Sequence, residues 1–140
     1  MKLNREALQF ISRQRKREAV ALLRANLFPG AYYLAGYSVE CALKACIAKQ
    51  TNRHDFPNKK MAIEAWTHDL QKLVQLAGVA SDLDRDMRTS PALQVNWAIV
   101  KDWSEAARYD MSITKAQAKD LYSACTARRT GILPWIRGRW

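Results

Sequence analysis

The sequence predicts an all-α protein, a bundle of about four or five helices, and three observations support this. Apolar residues recur at helical spacing through most of the 140 residues. No segment shows the alternation of β-branched and polar residues that is typical of a strand. Helix start signals occur along the chain, namely Ser90 followed by Pro91 and the capping-box pair Thr114 and Gln117. The chain is long enough to bury one hydrophobic core.

The first helix is predicted from Asn4 to Asn26, with Asn4 as its N-cap. Pro29 and Gly30 are expected to end it, because both residues break helices. Basic residues fall mostly on one side of this helix. Its apolar positions form a stripe on the other side that predicts contact with the core. They are Ala7, Leu8, Ile11, Ala19, Leu22 and Leu23.

The second helix is predicted from about Ala31 to Gln50, and it differs from the first. Apolar residues surround it on nearly all sides, which is typical of a helix at the centre of a bundle. Its first four turns hold only two charged residues, Glu40 and Lys44. Because they are four positions apart, their side chains are placed to form an ion pair.

The next part of the chain carries weaker signals. Residues 51–60 predict a polar loop, and a short helix is expected from Met61 to Trp66. Ser81 and Asp84 match a capping box for one further short turn or for a loop.

Between these segments, Thr67 is predicted to cap a helix that runs from His68 to about Ala77. Gly78 follows directly and is expected to end that helix, since glycine adopts the left-handed conformation that often terminates helices.

The last long helix is expected to run from Thr114 to about Thr130, with Gly131 as its C-terminal stop. Pro134 argues against helix in the remaining residues. No linker rich in glycine or serine divides the chain. The sequence therefore predicts a helical domain over residues 4–130, followed by a basic aromatic tail over residues 131–140.

The formal net charge of +10 is located entirely in the two ends of the chain. Residues 1–30 carry seven basic and two acidic groups, and residues 115–140 carry six basic groups and one acidic group. Residues 31–114 carry ten of each. Charge concentrated in this way indicates an anionic partner, which is nucleic acid, a membrane surface or an acidic protein.

The composition excludes several protein classes. The longest uncharged stretch, from Ala25 to Val39, is too short to cross a membrane and contains Pro29. Arg5 and Glu6 lie where a secretory signal would need apolar residues. We therefore expect a cytoplasmic protein without a membrane partner.

The three cysteines support this expectation. The cysteines are Cys41, Cys46 and Cys125. Because their number is odd and no two of them are closely spaced, a disulfide framework is not predicted. We interpret all three as small core residues.

Common catalytic and cofactor motifs are absent. The sequence has no glycine-rich phosphate loop, no Cys-x-x-Cys and no HExxH. The two histidines, His54 and His68, each precede an aspartate, which is a weak basis for a metal site. We predict neither a cofactor nor a metal.

Three blocks of sequence, AYYLAGYSVECALKACIAK, THDL and WSEAARYD, occur in this order. In composition and order they resemble the HEPN family (higher-eukaryote and prokaryote nucleotide-binding domain), and the resemblance extends over about residues 5–130. The matching positions are Tyr33, Tyr37, Glu40, Ala42, Leu43, Lys44, Ala45, the segment from Thr67 to Leu70, Arg108 and Tyr109.

The resemblance implies an all-α bundle of about five helices that usually forms a homodimer. Domains of this family often accompany minimal nucleotidyltransferases in bacterial toxin–antitoxin and defence modules. Many members are metal-independent RNases with an arginine followed after four to six residues by a histidine. No arginine precedes a histidine at that spacing here. We therefore expect binding of nucleic acid or a nucleotide, and the alternative is a non-catalytic module that binds a nucleotidyltransferase.

Five polar residues are singled out by the resemblance and by the second helix, and they allow two interpretations. In the structural one, Glu40 pairs inside the core with Lys44 or Arg108, because a buried charge needs a partner. In the functional one, Glu40, Lys44, Arg108 and Tyr109, together with His68, line a pocket for a nucleotide phosphate or an RNA backbone.

Two further hypotheses concern base stacking and RNA cleavage. Tyr33 and Tyr37 are candidates to stack a base, although aromatic residues at helical spacing are more often core. The enzyme alternative is an RNase with a divergent site, in which Arg108 stabilises charge and His54 or His68 acts as acid or base.

The basic ends also allow more than one interpretation. The arginines near Trp135 and Trp140 suit single-stranded nucleic acid, through phosphate attraction and base stacking. Alternatively, the same tail docks into a partner groove or lies back on its own bundle. For the basic residues of the first helix, the alternative is a solvated face that binds nothing. The candidate nucleic-acid contacts are Arg13, Lys16, Arg17, Arg128, Arg129, Arg137 and Arg139.

Overall fold

The computed structural model describes residues 3–53 and 63–140. These ranges contain α-helices, one 3₁₀ helix and no strand, which confirms the all-α prediction. The 3₁₀ helix, Glu105–Tyr109, lies between the fifth and sixth α-helices. The α-helices are α1 Arg5–Arg24, α2 Phe28–Arg53, α3 Leu70–Leu76, α4 Ala80–Thr89, α5 Pro91–Val100, α6 Lys115–Thr126 and α7 Ile132–Arg137.

Helix α2 is the centre of the bundle, as its apolar circumference predicted. Val39, Ala42, Leu43 and Ala45 are completely buried. Helix α1 packs along α2, and α3, α6, α7 and the 3₁₀ helix contact its other sides. The polar residues of α2 are therefore placed where several elements meet.

The connection between α1 and α2 differs from the prediction in one respect. Helix α1 ends at Arg24, and Asn26 adopts a left-handed conformation with φ of 62°. Pro29 and Gly30 do not end α1; they lie in the first turn of α2, which begins at Phe28. Proline is compatible with a first turn because the backbone N–H groups there have no intrahelical partner.

Most of the capping signals are confirmed. The Asn4 side chain accepts a hydrogen bond of 2.8 Å from the backbone N–H of Ala7. Ser90 caps α5 with Pro91 in its first turn. Thr114 and Gln117 form both hydrogen bonds of a capping box at the start of α6.

Helix α3 shows that boundaries are harder to predict than caps. Asp69, not Thr67, is its N-cap, and the helix starts at Leu70. Thr67 instead accepts a hydrogen bond from the Asp69 backbone N–H. Gly78, with φ of 72°, follows the end of the helix as predicted.

The interpretation of Ser81 and Asp84 as a short turn or loop is wrong. Residues Ala80–Thr89 form a full helix, and its N-cap Val79 provides no side-chain hydrogen bond. Of the short helix expected from Met61 to Trp66, residues 61 and 62 lie outside the described residues. Residues 63 and 64 are helical, and residues 65 and 66 form a turn.

The last predicted helix is shorter than expected and is followed by another. Helix α6 ends at Thr126 because Ala127 is extended, with ψ of 135°. Gly131 is the N-cap of α7 and not a C-terminal stop. Pro134 did not prevent helix formation because it lies in the first turn of α7.

Residues 131–140 pack onto the bundle. Trp135 and Trp140 are each 9% exposed, and both belong to the main hydrophobic core. The carbonyl oxygen of Trp140 accepts hydrogen bonds from the Arg5 and Gln9 side chains of α1. Among the three arrangements considered for the tail, the structure shows the one in which it lies against its own bundle.

None of the helices in the described ranges combines the length and apolar character needed to span a membrane. The three cysteines are free thiols buried in the protein, in agreement with the prediction. Burial raises the pKa of Cys46 to about 11 and that of Cys125 to about 12.

Candidate functional site

A buried carboxylate is the first feature of the candidate site. Glu40 on α2 is 1% exposed. One of its oxygens, Oε2, lies 3.1 Å from the Nζ atom of Lys44, one helical turn further along. The other oxygen, Oε1, lies 2.9 Å from Nδ1 of His68. A carboxylate removed from water in this way is stabilised because both oxygens have a charged or polar partner.

His68 connects this carboxylate to the surface. Its second ring nitrogen, Nε2, lies 3.0 Å from Oε2 of Glu105 in the 3₁₀ helix. Each ring nitrogen of His68 therefore faces a carboxylate, and an imidazole N–H donates to the carboxylate that it faces. We call Glu40, Lys44, His68 and Glu105 the Glu40 cluster.

An open cleft of about 560 Å³ lies beside His68. It contains three carboxylates and one lysine, so it is poorly suited to a phosphate group. Its lining residues are Thr67, His68, Asp69, Gln71, Lys101, Asp102, Trp103, Ser104 and Glu105.

Aromatic packing accompanies the Glu40 cluster. The Tyr33 ring lies 5.9 Å, centroid to centroid, from both Tyr37 and Trp103. Trp103 is 2% exposed and rests on Gly36, where a Cβ atom would lie 2.3 Å from its ring. Burial, more than any neighbouring charge, raises the pKa of Tyr37 above its ordinary value. Tyr33 and Tyr37 are thus partly buried packing partners of the 3₁₀ region.

Arg108 and Tyr109 lie at the surface, beside the exposed end of this cluster at Glu105. Both are exposed, and the Arg108 guanidinium carbon lies 4.9 Å from the Tyr109 ring centroid. The proximity of Tyr109, and secondarily of Glu105, raises the pKa of Arg108. The expectation that these two residues form a buried constellation with Glu40 is wrong, since the 3₁₀ helix presents them outward.

Of the two side chains that contact the Glu40 carboxylate, only Lys44 was predicted to pair with it. Lys44 is one turn away on the same helix, so its pairing follows from spacing. His68 and Glu105 come from other elements, and Glu105 was not singled out at all. The available signal was its place in the WSEAARYD block that the resemblance had already identified.

Of the residues considered for a metal site, His68 and Asp69 lie in the described part of the chain. Within residues 3–53 and 63–140, no group of three or more His, Cys, Asp or Glu side chains is arranged to hold a metal ion. His54 lies outside these ranges.

The second feature is a basic surface, formed by Arg13, Lys16 and Arg17 of α1 with Arg137 of α7. The Arg13 guanidinium carbon lies 4.9 Å from the Trp140 ring centroid. Partial burial, and after it the nearby charge of Arg137, lowers the pKa of Lys16. Within the described part of the chain, none of these four cations forms an ion pair.

The other predicted nucleic-acid contacts lie elsewhere. Arg128 and Arg129 occupy the loop between α6 and α7, where both are exposed. Arg139 is engaged internally, because it lies 3.1 Å from an oxygen of Asp86 and stacks 3.8 Å from the centroid of the Trp135 ring.

Comparisons with protein-family models, with curated proteins and with solved structures found no match for this chain.

Proposed function

We propose that this protein is a HEPN-like helical domain that binds nucleic acid through its basic surface. The observation that supports the proposal best is that the two basic ends of the chain contribute to one surface in the fold. Folding brings Arg137 close enough to Lys16 for its charge to lower the pKa of Lys16, and it places the Trp140 ring 4.9 Å from the Arg13 guanidinium carbon. Charges that are far apart in the sequence therefore act together in the structure.

The electrostatics of this surface favour an external anion. Like charges held close together destabilise the compact state by self-repulsion. Lys16 and Arg137 are held in this way, and the described residues offer them no carboxylate within ion-pair distance. A polyanion such as a nucleic acid would neutralise both charges and release its condensed counterions, which contributes to its affinity.

The HEPN assignment carries further proposals. It rests on the three sequence blocks, with which an all-α bundle is compatible. With it we propose a homodimer, a role in a toxin–antitoxin or defence module, and a minimal nucleotidyltransferase as protein partner.

Binding is tested by fluorescence anisotropy with labelled single-stranded RNA and DNA at low salt, about 50 mM. We expect binding by the unmodified protein and a loss of at least about tenfold in the triple variant Arg13→Gln, Arg17→Gln, Arg137→Gln. The matched control, Lys72→Gln, Arg88→Gln, Lys119→Gln, removes the same charge from exposed positions on three other helices. Equal losses in the two triple variants would show that net charge, and not this surface, determines binding.

A second function is favoured by the pair of Glu40 and His68. A buried carboxylate that fixes one ring nitrogen orients the other for proton transfer. Here Nε2 lies beside an open cleft, but Glu105 lies 3.0 Å from this nitrogen and the carboxylates of the cleft disfavour a phosphate. A substrate would therefore have to displace the Glu105 side chain. In this proposal Arg108, exposed near Glu105, stabilises the phosphorane charge of RNA cleavage.

RNA cleavage in the presence of EDTA tests this second function. If this second function is correct, the unmodified protein cleaves, and His68→Ala and Arg108→Ala are at least about a hundredfold slower. Equal cleavage by all three proteins would indicate a contaminating nuclease.

A further inference from the structure

Phe10 is an aromatic residue of α1 that the bundle does not bury. Its side chain is 57% exposed. Burying an aromatic ring is among the larger favourable contributions to folding, so an exposed ring on a regular helix leaves that free energy available for another contact.

Phe10 lies on the same stripe of α1 as the basic surface. Arg13 follows it by three positions and Arg17 by seven, and residues at these spacings share one face of a helix. Arg13 and Arg17 are themselves exposed. The outer face of α1 thus carries one exposed aromatic ring followed by two arginines.

The tryptophans of the C-terminal segment are not free for the same purpose. Trp135 and Trp140 are buried, and Arg139 and Arg13 lie over their rings. Base stacking by these tryptophans, one of the interpretations of the sequence, would require the C-terminal segment to leave the core. Phe10 needs no such rearrangement.

We infer that Phe10 stacks on an unpaired base of a bound single strand while Arg13 and Arg17 contact its phosphates. The inference rests on the proposed nucleic-acid binding and specifies its substrate class as single-stranded nucleic acid. Charge complementarity and aromatic stacking together characterise surfaces that bind single strands, because every base has a face on which to stack. A duplex keeps its bases paired and offers Phe10 nothing to stack on.

The experiment compares three probes of about 15 nucleotides, namely a single-stranded RNA, an abasic strand of equal charge and a blunt duplex. We expect the unmodified protein to bind the single strand at least about fivefold more tightly than the abasic strand. Phe10→Ala is expected to bind both strands equally, and Phe10→Tyr to restore the preference. Leu27→Ala is the matched control, because Leu27 is 54% exposed and lies just before α2.

Three results would contradict the inference, and they are distinguishable. If Phe10→Ala retains the preference while the triple arginine variant loses affinity, the stacking role is wrong and the proposed function stands. If the unmodified protein binds no probe, the proposed function is wrong as well. If Phe10→Ala changes the molar mass by light scattering and leaves the preference intact, Phe10 belongs to an interface between two copies of the chain.

Discussion

The Glu40 cluster and the basic surface both gather charged residues, but they do so in opposite ways. In the cluster, two carboxylates alternate with a lysine and a histidine at distances between 2.9 and 3.1 Å. At the basic surface, four cations from two helices lie together, and the described residues provide no carboxylate partner. One group of charges is satisfied within the fold, and the other is not.

This difference separates a structural role from a binding role. A buried charge depends on its partners, and removing one partner of a buried pair is expensive because it leaves the other charge uncompensated. Charges that are exposed and unpaired contribute little to stability, and they remain available to a ligand. Changes in the Glu40 cluster should therefore lower the stability, whereas changes at the basic surface should lower affinity.

Glu40→Ala is expected to have the largest effect. It leaves the Lys44 ammonium without its carboxylate and His68 without its buried partner. The free energy of unfolding should fall by about 3 kcal/mol, as measured by urea denaturation. Glu105→Gln, at the exposed end of the same cluster, is the control and should cost less than about 1 kcal/mol. Similar losses in both variants would show that the burial of Glu40 is not what matters.

Gly36→Ala should have the next largest effect. The new Cβ atom would lie 2.3 Å from the Trp103 ring, which must then move together with the residues that lead into the 3₁₀ helix. Overpacking of this kind costs about 2 kcal/mol. Nucleic-acid affinity should not change, because Gly36 is not part of the basic surface. A loss of affinity at unchanged stability would break the separation between the two regions.

Alkaline pH should lower the free energy of unfolding through Cys41, the residue that follows Glu40. Burial, and after it the charge of Glu40, raises the pKa of Cys41 from 9.0 to about 12. Above pH 9 the unfolded chain loses this proton and the folded chain keeps it, so stability falls as pH rises. The decline is about 1 kcal/mol per pH unit for this thiol up to about pH 11. Urea unfolding of Cys41→Ala under reducing conditions should show a shallower decline, and an unchanged slope would contradict the assignment.

Lys16→Gln should have the smallest effect and the opposite sign. Partial burial and the charge of Arg137 disfavour the protonated form of Lys16 in the fold. Removing the charge should raise the free energy of unfolding by about 0.5 kcal/mol, the size of a surface charge interaction. Added salt should reduce this gain because it screens the repulsion. A loss of stability would indicate that Lys16 has a favourable partner.

The parts of this architecture that depend on local sequence were predictable. The central position of α2 followed from its apolar circumference, and the caps at Asn4, Ser90 and Thr114 followed from side chains that bond within three residues. Helix α7 was not predicted because Pro134 was interpreted as a helix breaker. In the structure Pro134 lies in the first turn of α7, where proline is tolerated.

The candidate site depended more on distant contacts. The pair Glu40 and Lys44 follows from helical spacing, but the contacts of His68 with Glu40 and Glu105 join three elements that only the tertiary fold brings together. In the same way, the charge distribution located the basic residues in the chain ends. That the charge of Arg137 acts on Lys16 depends on the packing of α7 and Trp140, which no local pattern encodes.

The central claim is that the basic surface is the part of the molecule that meets a polyanion. The most direct test is the salt dependence of single-stranded RNA affinity for the unmodified protein and for the Arg13→Gln, Arg17→Gln, Arg137→Gln variant. Each phosphate contact contributes about 0.7 to the slope of log affinity against log salt concentration. We predict that the slope of the variant is smaller by about 2. Parallel slopes for the two proteins would contradict the account.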